Sequence, residues 1–352
     1  MRRTPPPPTF EEIRARLMAD GAVRVGVAPA DILHRARRAL HERRRAGYVD
    51  SMQFTWRNPE RSTDPSATVD GARSIIVVAH PCDSPDEPRP DGASARVARY
   101  ARQDHHTPMR ESLRAVARTL RTSGHRAVAL SDDNALVDRE VAHLAGIGWF
   151  GRNANLLVPG LGSHVVLGSI ITTAEYATDT PVPDGCGSCT RCIDECPTGA
   201  IVSPGVIDAR RCLAWILQRP GVIPIEFRVA IADRIYGCDD CQDSCPPTIR
   251  LSGRHSGRVA APGPGQWIDA WEVLDATDDE LLTRCGQWYI HARDPRWLRR
   301  NALVVIGNTA DPADSTVWQR LDAHRLSNDP IIAEHADWAW QRLADRGTVG
   351  ET

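Results

Sequence analysis

Residues 9–175 alternate between two kinds of hydrophobic pattern. Short apolar runs predict buried strands, and they lie at 74–80, 125–131 and 164–173. Apolar residues at helical spacing predict helices at about 31–46 and 108–123. Because strands alternate with helices, we predict an α/β domain over residues 10–175.

A glycine-rich loop, Gly146 to Gly162, precedes the last apolar run of this region. Such loops bring backbone amides close to a bulky ligand that is anionic or carries amide groups. The spacing of these glycines matches neither the dinucleotide-binding pattern nor the P-loop pattern. The loop therefore predicts ligand binding without a nucleotide fingerprint.

The last part of the chain has a helical pattern. Residues 251–266 are rich in Gly, Pro and Arg and predict a linker. The helices predicted beyond it lie at about 269–284, 297–310, 314–325 and 330–345. Short paired helices resemble HEAT-type repeats, so we predict an all-α HEAT-like domain over residues 267–352.

The amino terminus and the composition narrow the class of protein. Residues 1–9 include four consecutive prolines where a signal peptide needs an apolar core, so they predict a disordered leader. No apolar run approaches the roughly 20 residues that span a bilayer, and we expect a cytoplasmic protein without membrane contact. With 352 residues and a net charge of −2, the chain is neither a disordered acidic protein nor a basic nucleic-acid coat.

All 43 residues counted as Lys or Arg are arginine. The absence of lysine excludes Schiff-base and P-loop lysine mechanisms. Any contact to a phosphate must therefore come from arginine or from backbone amides.

Eight of the ten cysteines fall between residues 186 and 245. In a long chain without an export signal, this clustering favours metal or cluster ligation over disulfides. The first group forms a C-x2-C-x2-C-x3-C-P run made of Cys186, Cys189, Cys192 and Cys196. This is the spacing of bacterial two-cluster ferredoxins, in which the fourth cysteine binds the other cluster.

A second cysteine motif supplies the partner that this spacing requires. It consists of Cys238, Cys241 and Cys245 before Pro246, with Cys212 as the simplest fourth member. We assign one [4Fe–4S] cluster to Cys186, Cys189, Cys192 and Cys245. We assign the other to Cys196, Cys212, Cys238 and Cys241. The pattern predicts a two-cluster ferredoxin-like domain over residues 176–250.

A zinc site is the alternative, but two interleaved C-P runs do not fit the paired CxxC ligands of structural zinc. Cys82 and Cys285 lie far from both motifs and are interpreted as small, semi-buried thiols.

Basic residues are concentrated between Arg284 and Arg300. This stretch holds Arg284, His291, Arg293, Arg296, Arg299 and Arg300 against one acid, Asp294. Such a run is either a solvated helix face or a surface that contacts nucleic-acid phosphates.

The chain as a whole resembles the epoxyqueuosine reductase family. The resemblance rests on "DREVAHLAGIGWFGRNANLL", "GSHVVLGSIIT", both cysteine motifs and "LLTRCGQWYIHARDPRWLRRNALVVIGN", in the family's order. It implies that the amino-terminal domain binds cobalamin and that two [4Fe–4S] clusters relay electrons to it. It also implies a tRNA anticodon stem-loop as substrate, and reduction of epoxyqueuosine to queuosine at the wobble nucleoside.

The resemblance assigns roles to particular residues. Asp132 corresponds to the family's proton-donating aspartate, and Asp133 is then the residue that caps the following helix. Without the resemblance, an acidic pair after a strand is typical of a helix N-cap. A carboxyl that donates a proton near neutral pH must be shielded from water or lie beside a like charge. The implied cobalamin contacts are Arg61, Arg152, Asn153, Asn155, Gly162 and Ser163. The implied tRNA contacts are Arg293, Arg296, Arg299 and Arg300.

Three segments depart from the family's pattern. They are "RYARQDHH", Arg152 in place of the loop lysine, and the tryptophan-rich segment "GQWYIHARDPRWLRRNAL". A reductase with the same cofactors and another substrate, similar to the reductive dehalogenases, therefore stays open, as does a non-catalytic iron–sulfur electron carrier. For the tRNA enzyme we expect a monomer that receives electrons from an external flavodoxin or ferredoxin.

Overall fold

The computed structural model describes residues 5–250 and 260–349. Residues 1–4 of the predicted leader and residues 251–259 of the predicted linker lie outside this part of the chain. The described residues form a mixed α/β fold, as predicted. Within them, no helix is both long and apolar enough to cross a membrane.

The amino-terminal part is built around one four-stranded sheet. Its helices are α1 (Phe10–Ala19), α2 (His34–Arg45), α3 (Phe54–Arg57), α4 (Pro59–Ser62), α5 (His106–Thr122) and α6 (Asp138–Leu144). Its strands are β1 (Arg24–Pro29), β2 (Ser74–Pro81), β3 (Ser94–Val97), β4 (Ala127–Ser131), β5 (Trp149–Phe150), β6 (Leu156–Leu157) and β7 (Val165–Thr172). The sheet has the order β1-β2-β7-β4, and each neighbouring pair is antiparallel.

The central strand β2 is apolar at successive positions because both of its faces are buried. Ile75 and Val77 pack on one face, in the core that includes Leu136 of the β4–α6 connection. Ile76 and Val78 pack on the other face, against side chains of α5. Successive strand residues face opposite sides, so a strand covered on both sides needs an unbroken apolar run.

Strand β1 was not predicted, because Gly26 interrupts its apolar pattern. A Cβ at this position would collide with the backbone carbonyl of Ala145, which follows α6. The glycine is therefore required for the close approach of α6 to the sheet.

The cysteine-bearing part is formed by short elements. They are α7 (Arg191–Asp194), β8 (Ile201–Ser203), β9 (Val206–Ile207), α8 (Leu213–Ile216), α9 (Ile225–Ile231), β10 (Arg234–Tyr236), α10 (Asp240–Asp243) and α11 (Pro246–Ile249). The carboxy-terminal part contains β11 (Trp267–Asp269), α12 (Ala270–Asp275), α13 (Asp278–Arg284), α14 (Arg296–Thr309), α15 (Ser315–Arg325) and α16 (Pro330–Val349).

A second sheet joins these three parts of the chain. Its order is β10-β3-β11, with β3 in the middle. Strand β10 pairs with β3 in parallel, and β11 pairs with it antiparallel. One strand thus comes from each predicted domain, so the parts share backbone hydrogen bonds that their separate sequence patterns did not indicate.

The carboxy-terminal helices lie close to their predicted positions, with one difference. The helix predicted at 269–284 is divided into α12 and α13, because Thr277 forms a capping box with Glu280 and starts a new helix. Helices α14 and α16 approach closely at Gly307, where a Cβ would lie 2.8 Å from the Cα of Ala339. The HEAT-like classification of these helices stays a prediction.

Candidate active site

A cavity of about 640 Å³ lies where the parts of the chain meet. Its lining comes from helix α3, the segment leading into α5, the β4–α6 connection and the first turn of α6, the segment after α8, strand β10 and the segment after α13. The lining residues are Phe54, Thr55, Tyr100, Ala101, Gln103, Asp104, His106, Asp132, Asp133, Asn134, Leu136, Val137, Asp138, Arg139, Gln218, Tyr236, Gln287, Trp288 and Tyr289. This volume lies within the range of small-molecule and cofactor pockets.

Asp132 occupies the first position after strand β4 and lines the cavity. Its residue surface is exposed, and its φ of 51° lies in the left-handed region. Aspartate tolerates this conformation better than most residues, but an outlier of this kind is common at functional sites. The neighbouring Asp133 has a different task, since its Oδ1 accepts the backbone N–H of Ala135 at 2.8 Å. Asp133 therefore stabilises the turn before α6, although α6 itself begins only at Asp138.

Asp138 is a cavity residue that the sequence analysis did not select. Burial, followed by the charges of Asp132 and Asp133, raises the pKa of Asp138 to about 8. Its Oδ1 is buried and has no hydrogen-bond partner among the described residues. An acidic residue in the first turn of a helix is ordinarily explained by the helix dipole, so the sequence carried no distinguishing signal.

Arg139 connects the cavity to the cysteines. It lines the cavity, and Asp138, Cys241 and Cys212 are close enough to act on its guanidinium electrostatically. The cavity wall is therefore within electrostatic reach of two of the predicted cluster ligands.

The segment "RYARQDHH" contributes directly to the cavity. Tyr100, Gln103, Asp104 and His106 all line it. His106 Nδ1 lies 3.0 Å from the hydroxyl of Ser131, and burial lowers the pKa of this imidazole. One departure from the family's pattern thus lies in the wall of the candidate site.

The tryptophan-rich segment forms another wall. The ring of Trp288 stacks on Tyr236 at 4.2 Å, and its Nε1 donates to the carbonyl of Ala101 at 2.8 Å. The hydroxyl of Tyr236 accepts from the backbone N–H of Tyr289 at 2.8 Å and lies 3.2 Å from its carbonyl oxygen. These contacts hold Tyr289 in the cavity lining, where its ring packs against Phe54 with centroids 4.8 Å apart.

The clustered cysteines form two groups of thiols in the structure. Burial raises the pKa of Cys192 to about 11, and the thiols that add to this are those of Cys245, Cys186 and Cys189. Burial also raises the pKa of Cys241, with Cys238, Cys212 and Cys196 contributing in the same direction. The structure thus brings the members of each predicted set near one another, and their assignment as cluster ligands stays a prediction.

All ten cysteines are free thiols. Within the described ranges, no three Cys, His, Asp or Glu side chains are arranged to hold a single metal ion. Cys82 and Cys285 are both buried and lie outside the two groups.

The residues predicted to contact cobalamin do not line the cavity, and most of them contact the cysteine-bearing part instead. Arg152 donates to the carbonyl of Gly187, and Asn153 donates to the carbonyl of Cys241 at 3.0 Å. The backbone N–H of Asn155 donates to Asn153 Oδ1 at 3.1 Å, which fixes the turn.

Gly162 and Ser163 pack on α11 in a similar way. The backbone N–H of Ser163 donates to the hydroxyl of Thr248 at 3.2 Å, and a Cβ at Gly162 would lie 2.6 Å from the Cα of Thr248. Arg61 stands apart, because it is exposed on α4. The loop residues thus connect the amino-terminal and cysteine-bearing parts.

The predicted tRNA-contacting arginines divide into exposed and buried residues. Arg293 is exposed and donates to the carbonyl of Gly286 at 3.1 Å. Arg296 pairs with Asp329 at 3.0 Å, and Arg299 pairs with Asp278 at 2.7 Å.

Arg300 does not fit the predicted phosphate-binding role. It is 0% exposed, and its guanidinium donates to the carbonyls of Ile216, Leu217, Arg219 and Gly221. Since every one of these acceptors belongs to the cysteine-bearing part, Arg300 docks α14 against that part and is not accessible to RNA.

Two parts of the chain match known protein families. Residues 62–134 match a family profile described as epoxyqueuosine reductase QueG, DUF1730. Residues 185–248 match a 4Fe-4S double cluster binding domain, which confirms the prediction of two [4Fe–4S] clusters.

Full-length relatives extend the similarity over most of the chain. The epoxyqueuosine reductase of Gloeobacter violaceus is 36% identical over 315 residues, covering 86% of this chain and 98% of that protein. The epoxyqueuosine reductase of Bacillus subtilis is 34% identical, covering 95% of this chain and 88% of that protein.

A solved structure of an epoxyqueuosine reductase with an epoxyqueuosine-modified tRNA-Tyr stem loop superposes with a TM-score of 0.85 at 28% identity. The match covers 97% of this chain and 92% of that one. The predicted oxidoreductase class is thereby confirmed, and the chain belongs to the epoxyqueuosine reductase family.

Proposed function

We propose that this protein reduces epoxyqueuosine to queuosine at the wobble position of tRNA, with electrons passing through two [4Fe–4S] clusters to cobalamin. The observation that carries the proposal is the position of Asp132. Asp132 is exposed and lines a cavity whose wall includes Arg139, and Arg139 is within electrostatic reach of Cys212 and Cys241. Proton donation and electron supply can therefore meet in one place.

The chemistry of the cavity wall is suited to cobalamin. Amide side chains of Gln103, Asn134, Gln218 and Gln287 line it, and the buried Nε2 of Gln287 has no hydrogen-bond partner in the described part of the chain. A corrin ring carries amide arms that such groups can bind. When bound, cobalamin supplies a strongly reducing cobalt centre that can open an epoxide.

In this proposal the protein's own residues supply the proton and hold the substrate. Asp132 donates a proton to the departing epoxide oxygen, and Asp133 fixes the turn that positions it. Tyr289 and Phe54 shape one side of the cavity, since both residues line it and their rings pack together. Arg293, Arg296 and Arg299 remain the proposed contacts to tRNA phosphates, because they are the ones with exposed surface.

The loop residues have a proposed role that supports the cofactors indirectly. Arg152, Asn153, Gly162 and Ser163 hold the cysteine-bearing part against the amino-terminal part. This docking sets the distance between the clusters and the cavity. We further propose that the protein acts as a monomer in the cytoplasm, with a flavodoxin or ferredoxin as electron donor.

The proposal is tested by comparing a deletion strain with strains that carry the wild-type gene or Asp132→Ala. Nucleosides from tRNA of the deletion strain should contain epoxyqueuosine, and the wild-type gene should convert it to queuosine. Asp132→Ala should lower turnover by about 10²–10⁴-fold, the usual contribution of a general acid, while the purified protein keeps both cofactors. Unimpaired turnover of Asp132→Ala would reject its role as the acid.

A second candidate function keeps the cofactors and changes the substrate. It is favoured by one observation, namely that two segments departing from the family's pattern, around His106 and around Trp288, both line the cavity. Affinity for RNA separates the two functions, because a tRNA enzyme should bind an anticodon stem-loop with strong salt dependence and an enzyme of small molecules should not.

A further inference from the structure

No hydrogen bond in the described part of the chain accounts for the position of the Asp138 Oδ1 atom. This oxygen is buried, and the residue lines the same cavity as Asp132. A buried carboxyl oxygen without a partner is costly, so such a group in a native structure calls for an explanation. Val137, one residue earlier, is the N-cap of α6 and makes no side-chain cap, so capping does not supply one.

The proposed reaction requires more protons than Asp132 alone can deliver. Conversion of the epoxide to an alkene breaks two C–O bonds, consumes two electrons and two protons, and releases the oxygen as water. The electrons come from the external one-electron donor by way of the clusters. A single carboxyl delivers one proton and must then be reloaded before it can deliver the second.

We propose that Asp138 is a proton store that reloads Asp132 during each turnover. The inference rests on the proposed function and adds to it a second carboxyl, which acts through Asp132. Asp132 gives its proton to the oxygen as the first C–O bond breaks. The Asp138 proton then passes to the Asp132 carboxylate, and Asp132 protonates the oxygen again as it leaves as water. Asp138 finally regains a proton from solvent.

The charges around Asp138 favour this role. The charge of Asp132, present once this residue has given up its proton, and the charge of Asp133 raise the pKa of Asp138, and Arg139 beside it acts in the opposite direction. Burial is the largest cause and brings this pKa to about 8, so the carboxyl holds its proton at neutral pH.

The other elements of the cavity wall do not add a competing acid. From the segment at α5, Asp104 has a lowered pKa through hydrogen bonds, chiefly from Thr107, which outweigh its burial, and His106 has a pKa lowered by burial. Tyr100, from the same segment, and Tyr236, from β10, have pKa values raised by burial and stay protonated. When cofactor and substrate fill the cavity they displace water, which favours the neutral form of Asp138 further.

The central test is single-turnover reduction of an epoxyqueuosine-containing stem-loop by the holoenzyme, measured against pH. Because the protonated carboxyl is the active form, the wild-type rate should be full at lower pH and fall as pH rises through about 8. Asp138→Asn should lower the rate at least about tenfold and remove this fall, since an amide stores no transferable proton. Asp70→Asn, which neutralises an exposed carboxyl paired with Arg126, is the control and should behave as wild type.

Infrared difference spectra between low and high pH provide a readout that does not depend on turnover. The wild-type holoenzyme should show a protonated carboxyl band that disappears as pH rises through about 8. That band should be missing in Asp138→Asn and present in Asp70→Asn.

The result that overturns the inference is a wild-type rate and an unchanged pH profile in Asp138→Asn, or a band that persists in this variant. If Asp138→Asn does not fold, Asp138→Glu serves instead, and a pH profile that fails to move with the longer side chain counts against the inference. If the wild-type protein shows the band but never reduces epoxyqueuosine, the proposed function is refuted, while the protonated state of Asp138 is supported.

Discussion

The cysteine-bearing part and the cavity differ in how far apart their residues lie in the chain. The candidate cluster ligands lie between Cys186 and Cys245, whereas the cavity lining extends from Phe54 to Tyr289. A [4Fe–4S] cluster needs its ligands in a fixed geometry, so the short spacings between cysteines in the sequence indicate where it binds. The cavity depends on how separate elements pack, and its lining residues share no spacing.

The largest expected effect concerns the cysteine-bearing part, whose candidate ligands lie close together in the chain. Cys241→Ser should remove one cluster, and with it about half of the iron and all measurable turnover, because a [4Fe–4S] cluster needs its thiolate ligands. Iron content and the low-temperature EPR spectrum of the reduced protein measure this. Cys82→Ser is the control, since Cys82 is buried outside both thiol groups and should keep its iron. Full iron in Cys241→Ser would contradict the assigned ligand set.

The next prediction concerns the docking that assembles the cavity. Arg300→Met should lower the free energy of unfolding by at least about 3 kcal/mol, because each buried acceptor left without a donor costs about 1–3 kcal/mol. Chemical denaturation measures the loss. Arg296→Met is the matched control, since its ion pairs are partly exposed and such pairs contribute about 0–1 kcal/mol. Equal stability of the two variants would show that the carbonyl contacts of Arg300 do not hold the parts together.

The smallest expected effect concerns the packing of α14 against α16 in the carboxy-terminal part. Gly307→Ala should destabilise the protein by about 1–3 kcal/mol, the usual cost of overpacking, because the new Cβ would lie 2.8 Å from the Cα of Ala339. Thermal unfolding measures the change. Gly347→Ala is the control, because its Cβ would meet only Pro312 at 3.4 Å, and alanine favours a helix. Stabilisation in both variants would mean that α14 and α16 can move apart at low cost.

Individual residues show where prediction from sequence reached its limit. Asp132 was selected through resemblance, and its position in the cavity agrees with the proposed role. Asp138 was passed over, because an acid at a helix start has an ordinary explanation and only the surrounding packing shows an unpaired oxygen. Arg300 was selected as a contact to tRNA, but in α14 its guanidinium is buried and donates to backbone carbonyls of the cysteine-bearing part.

The sequence by itself determined the features that depend on neighbouring residues. These are the apolar runs of β2, β4 and β7, the helical patterns, and the two cysteine motifs, since periodicity and ligand spacing act within short stretches. Only the tertiary structure decided which parts share the β10-β3-β11 sheet, which arginine is buried, and which carboxyl oxygen is buried without a hydrogen bond among the described residues. Those properties depend on burial and on charges brought together from distant parts of the chain, which no local pattern records.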